Sequence, residues 1–295
     1  MGYTEMITIK GDFMKSLRFF LFTSILVLGF IGCDSSSGGS AGGGNNIVNH
    51  TPSIESLKGT WIWNEESTLY LTYDDGTVEL LDSQEINSSI TITKTGDNSA
   101  TYNQLFTNFI DYETIDDKTL CSEEEGLLSF DEDGYLVRTQ IRIRSSDSEE
   151  SIDTAIWEPA RNTYKEKVII VDSVLYYGPY ELVSGDSDLT GNCVYKNSFN
   201  YSIVEDDSSY DYNNTTTLEF KESEITFHYD RDCSDDEEDS YITEGPWEYT
   251  VDGNTLSYSN QYDRVHNYTF IKSGSYLLLH NSDKKSNTRH GWIRE

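Results

Sequence analysis

Along the chain, apolar and β-branched side chains fall on alternate positions in the runs 60–63, 68–73, 89–93, 135–144, 167–171 and 174–183. The same alternation returns at 216–220, 224–229, 255–259, 268–272 and 276–280. A period of two puts one face of a strand against a core and the other in water, so each run predicts a β-strand. Asp75-Gly76, Asp133-Gly134, Asp252-Gly253 and Ser273-Gly274 stand between runs and carry hairpin chemistry, since glycine and aspartate tolerate the positive φ of tight turns. Beyond residue 32 no stretch holds a helical period. Close-set short strands joined by tight turns predict an all-β chain, either antiparallel barrels or a sandwich.

The pattern differs in residues 14–34, MKSLRFFLFTSILVLGFIGCD. Lys15 and Arg18 precede an uncharged apolar run from 19 to 31, and Gly32 puts a small residue before Cys33. About 13 residues are too few for a bilayer-spanning helix, which needs ~20. The segment reads as a secretory signal, with residues 1–32 removed and Met14 the expected start, because Glu5 and Asp12 put acid where a basic region belongs. Residues 33–52 then form a Gly/Ser-rich tether. Ile31-Gly32-Cys33 resembles the bacterial lipobox, with Phe30 where leucine is usual. The resemblance implies a covalent lipid on Cys33, the bilayer as a partner through that anchor, and a place in the cell envelope. Asp34 resembles an inner-membrane retention signal, which leaves the choice of membrane open, with the outer one favoured.

Charge narrows the partners. From Cys33 onward 18 basic side chains face 50 acidic ones, a surface that repels phosphate backbones and anionic headgroups. No nucleic acid is expected, and the lipid must do the anchoring. The 21 Tyr, 12 Phe and 5 Trp supply large side chains for a core despite that charge.

Leu57-Lys58-Gly59-Thr60-Trp61 resembles the Gly-x-Trp signature that opens lipocalin-like barrels. The resemblance implies that Trp61 plugs a closed barrel end, with Gly59 small to allow close packing, and that a basic side chain near the chain end covers the ring. Arg289 or Arg294 would serve if a single barrel spans the chain. The segment 246–256, with Trp247 ahead of Gly253-Asn254-Thr255-Leu256, is similar to a hairpin of such lipoprotein domains. Leu189-Thr190-Gly191-Asn192-Cys193 echoes Leu57 to Trp61 at an offset of 132 residues, with Cys193 at the tryptophan place. The echo suggests two lipocalin-like units, 53–187 and 188–295, the second of which would claim the basic partner and leave Trp61 without it. One irregular sandwich is the alternative.

Candidate chemistry is sparse, and no catalytic residue is assigned. Gly38-Gly39-Ser40-Ala41-Gly42 fits a nucleophile pattern but lies in the tether. The loop opening at Asp186 has Asn197 where a calcium loop needs a bidentate glutamate. Asp235, Asp236, Glu237 and Asp239 could gather Ca2+, though such a run is ordinarily a solvated loop. Three cysteines remain beside Cys33, and Cys193 with Cys233 is the favoured bridge over either pairing with Cys121. Tyr176, Tyr177 and Tyr180 cluster in one strand-like run, as do Tyr195, Phe199 and Tyr201, and rings on a β-surface stack on sugars or line an apolar pocket. The expected function is a non-catalytic binding module for a small apolar ligand or a glycan. The alternatives are a protein-contacting envelope protein and a hydrolase with a carboxylate pair.

Overall fold

The computed structural model describes residues 52–72, 78–112, 118–186, 189, 191–205, 208–234, 240–261, 265–282, 285–286 and 291–295. Cys33, the tether up to residue 51, the turn at Asp75-Gly76, the acidic candidates Asp235, Asp236, Glu237 and Asp239, and Arg289 lie outside them. The described residues belong to one compact unit. Their first half runs α1 (Ile54–Leu57), β1 (Gly59–Thr72), β2 (Val78–Gly96), β3 (Ser99–Tyr112), β4 (Lys118–Phe130), β5 (Leu136–Ser146), α2 (Glu149–Ile152), β6 (Glu158–Pro159), β7 (Thr163–Glu166), β8 (Val168–Val171) and β9 (Val174–Tyr177). The second half runs β10 (Tyr180–Gly185), β11 (Cys193–Glu205), β12 (Ser208–Lys221), β13 (Glu224–Cys233), β14 (Ser240–Asp252), β15 (Thr255–Ser259), β16 (Val265–Ser273), β17 (Tyr276–Asn281), β18 (Lys285–Ser286) and β19 (Trp292–Arg294). The chain is all-β, as the alternation predicts.

Strands β11 to β17 form an antiparallel meander, and β10 pairs with both β11 and β17. That closes an eight-stranded barrel and leaves it no edge. Its interior is apolar and aromatic: Tyr195, Leu218, Phe220, Ile225, Leu256 and Leu277 are almost wholly buried. The expected hairpin at Asp252 forms there, with Asp252 paired to Thr255 and Gly253 at φ 61°.

The first half makes a second circuit. Strands β1 to β5 form a meander, β7 pairs with β5, β8 with β9, β9 with β19, and β19 returns to β1. Only Lys167 separates β7 from β8, so the segment 163–171 lends one half to each neighbour and completes the ring. Its core gathers Ile54, Leu57, Trp61, Ile90, Ile92, Leu128 and Leu175. Strand β7 also pairs with β11, so one sheet runs from the first ring into the second. The outer faces of β8 and β9 (Ile169, Val171, Val174, Tyr176) pack against Leu278 of β17.

The two rings exchange their closing strands. Strand β10 follows the seventh strand of the first ring but closes the second; β19 follows the last meander strand of the second but closes the first. A division at 187/188 therefore places these two strands in the opposite unit. The run 174–183, read as one strand, breaks at Gly178, where φ is 59°, and its halves serve different barrels.

Strands β3, β4, β11 and β14 carry no strong alternation of apolar residues and go beyond the predicted runs. They form because each is paired on both sides. Cys193 and Cys233 are not joined, which corrects the expected bridge. Cys193 pairs with Phe220 and Cys233 with Tyr212 of the same strand β12. Eight residues at about 3.3 Å each put the two far beyond the ~7 Å Cα limit of a disulfide.

Candidate ligand site in the first barrel

At the plugged end, the indole Nε1 of Trp61 donates to the Leu57 carbonyl at 2.7 Å and the ring is 1% exposed. Ser53 caps α1 and fixes that carbonyl in place. Trp63, two residues on, is also buried and lies 6.2 Å from Trp292. Trp247, the other singled-out tryptophan, belongs to the second barrel, stacked on Tyr258 at 5.1 Å.

Above the plug the interior of the first barrel turns polar. On β5 the residues sharing the inward face of core Leu136 are Arg138 and Gln140, and on β7 they are Tyr164 and Glu166. Arg138 is 7% exposed. Its Nη1 donates to Gln104 Oε1 at 3.0 Å and stands 3.7 Å from Glu124 Oε1. Gln104 in turn donates to Ser88 Oγ at 3.0 Å, Gln140 donates to Glu124, and Asn162 donates to Gln140 at 3.1 Å. The guanidinium carbon sits 4.8 Å from the Tyr164 ring centre and 5.9 Å from that of Tyr102. Gly126 makes room: a Cβ there would stand 2.6 Å from Tyr102 Cε1.

Burial acts against the charged guanidinium, but Glu124 and the surrounding tyrosines outweigh it and raise the Arg138 pKa. Burial pushes the Tyr164 hydroxyl up to about 12 and the Tyr102 and Tyr177 hydroxyls higher still. Glu166 is 5% exposed, and no hydrogen bond reaches its carboxyl among the described residues. Burial raises its pKa to about 7, against the opposing pull of Arg138. The barrel thus encloses a fixed cation, a paired carboxylate and a carboxyl poised between its two charge states.

Among the described residues of the second barrel no Arg, Lys, Asp or Glu side chain is buried. Tyr180 and Tyr258 are stripped of water by apolar neighbours and their pKa values rise for that reason. The expected aromatic clusters are divided: Tyr176 lies between the barrels, Tyr177 packs on the first core, and Tyr180 and Tyr195 on the second, whereas Phe199 and Tyr201 stack on each other and on Tyr164, and Tyr201 also on Tyr212. An open cleft of about 460 Å3 at the β10–β12 rim is lined by Ser184, Asn192, Glu219 and Lys221 among others and carries no buried charge. Among the described residues no cluster of His, Cys, Asp and Glu could hold a metal ion.

Arg138 and Glu166 are absent from the site residues expected from sequence. The signal was there: Leu136-x-Arg138-x-Gln140 and Tyr164-x-Glu166 put polar side chains on the parity of core residues. No protein-family model, curated protein or solved structure matches the chain.

Proposed function

We propose that the protein is a non-catalytic binding module, lipid-anchored in a bacterial envelope, and that the interior of its first barrel receives a small ligand. One observation carries the ligand reading: a barrel built on the same strand plan as its apolar neighbour buries Arg138, Glu166 and an amide network instead of packing hydrocarbon. Burying a charge costs several kcal/mol unless interactions compensate it, so such groups are retained where they do work. The anchor reading rests on the pattern at 14–34 and on the tether after Cys33. Two or three acyl chains at ~0.8 kcal/mol per CH2 would hold the protein stably at a membrane.

Native mass spectrometry of the protein released from membranes by detergent tests the ligand. We expect a discrete small-molecule mass that is lost in Ser88→Trp, which fills the interior beside Gln104. Unliganded protein only, with no cell extract raising its melting temperature, would sink the reading. Detergent phase separation tests the anchor: wild type should enter the detergent phase and Cys33→Ala the aqueous one.

A further inference from the structure

We propose that the ligand of the first barrel is a monocarboxylate, held by the Nε–Nη2 edge of Arg138. The inference rests on the reading of that barrel as a binding site and adds the chemistry of the ligand's head.

Of the three guanidinium nitrogens, only Nη1 is engaged, on Gln104 and toward Glu124. Nε and Nη2 are buried and have no hydrogen-bond partner among the described residues. These two share one straight edge of the planar group, and their N–H bonds run parallel. That is the fork that grips the two oxygens of a carboxylate. A buried donor left unmatched costs about 1–3 kcal/mol, more when charged, and here two adjoin on one edge. Gln104 fixes the opposite corner, so the edge is held in position before any ligand arrives.

The surroundings choose among oxyanions. Glu124 and Glu166 already supply carboxyls near Arg138. A dianionic phosphate would meet more repulsion than a single charge, and a planar two-oxygen group suits the planar fork better than a tetrahedral one. The Tyr102 hydroxyl, buried close to Glu124 but outside hydrogen-bond geometry with it, is a second donor on the same wall. Glu166, neutral for part of its titration near pH 7, relieves the site of a further negative charge when protonated. The tyrosine rings of 102, 164 and 177 suit either a hydrocarbon or a sugar body, so the shared chemistry is the acid group.

Calorimetric titration of the intact protein with two matched pairs, decanoate against decanol and glucuronate against glucose, tests this. We expect one acid to bind at least tenfold more tightly than its neutral counterpart. Arg138→Lys keeps the charge but loses the fork, and should erase that preference; Tyr102→Phe should weaken the acid severalfold and leave the neutral partner unchanged. Equal binding of acid and neutral partner overturns the carboxylate assignment while leaving the barrel a binding site. Binding of none of the four removes the barrel reading as well. Should Arg138→Lys fail to fold, 13C-carboxyl decanoate or glucuronate bound to wild type decides: a signal still ionised below pH 4 supports the Arg138 contact, and one titrating as in water overturns it.

Discussion

The guanidinium of Arg294 lies 4.5 Å above the ring centre of Trp61, at the opposite end of the chain, and the two residues pair across β19 and β1. Sequence reasoning ties such a lid to a single barrel spanning the chain and denies it to Trp61 if there are two. Strand exchange is why Trp61 has it all the same. In the second barrel Cys193 stands at the tryptophan place and pairs with Gly185 where Trp61 has Arg294. A Cβ at Gly185 would lie 2.1 Å from the Asn192 carbonyl oxygen, so no lid can grow there. The Leu189 carbonyl, which matches that of Leu57, accepts a hydrogen bond from the Tyr249 hydroxyl instead of an indole. Trp61→Ala should therefore lose ~3 to 5 kcal/mol, and Arg294→Ala, an exposed cation on a ring, only ~0.5 to 1 kcal/mol. Urea unfolding of both variants checks the ranking, and a Trp61→Ala midpoint equal to that of wild type would refute the plug.

Exchange also couples the barrels. Removing residues 292–295 strips β19 from both β1 and β9 and opens two edges in the first ring. Because β7 pairs with β11 and β8–β9 pack on Leu278, the second ring should not stay intact while the first melts. We expect wild type to unfold in one transition by far-ultraviolet dichroism and by tryptophan fluorescence alike, and the truncated chain to do so at lower urea. Two separated transitions in wild type would show independent units.

Glu166 sets a pH dependence whose sign follows from its shift. Its folded pKa, about 7, lies above the ordinary glutamate value of 4.5 because burial penalises the carboxylate. The folded state therefore binds the proton more tightly than the unfolded state. Its contribution is fully present below pH 4.5, falls as pH rises through about 7, and stays lost above that. The size is about 3 kcal/mol, from ~1.4 kcal/mol per pKa unit. Glu166→Gln has no carboxyl to ionise. Its urea stability relative to wild type should rise between pH 5 and 8, by an amount of that order. A constant difference across the range would place Glu166 in water.

The strands with clean alternation were legible because each has one face in the core: Leu136 and Arg138 sit on the parity set by Leu128 of the paired strand. The five-residue echo of Leu57 to Trp61 in Leu189 to Cys193 falls just before and into β1 and β11, the places where the two meanders begin. What failed was assigning strands to rings. A break at one glycine, Gly178, sends Tyr177 and Tyr180 to different cores, and nothing local distinguishes that from a continuous strand. The site was hidden for a related reason. In Arg138-Thr139-Gln140-Ile141-Arg142, one arginine enters the barrel and the other lies outside, paired with Glu125 over Trp157. Both share the parity of Leu136; the register shift that skips Ile141 between Gln140 and Arg142 turns the second arginine outward, and no local signal marks it.

Gly126 offers the sharpest test of how closely the site wall is built. It pairs with Tyr102 on one side and Gln140 on the other, beside a register shift in β4–β5. An added Cβ would lie 2.1 Å from the Thr139 carbonyl oxygen and 2.6 Å from the Tyr102 ring. The ring could rotate away, but the carbonyl belongs to the paired backbone and cannot move without breaking the ladder. Gly126→Ala should thus cost ~1 to 3 kcal/mol, as overpacking does. Tyr102→Ala in the same chain should not restore what Gly126→Ala loses, because the backbone clash remains. If the double variant instead recovers the stability of Tyr102→Ala alone in urea, the ring and not the carbonyl sets the limit, and the wall is softer than its geometry implies.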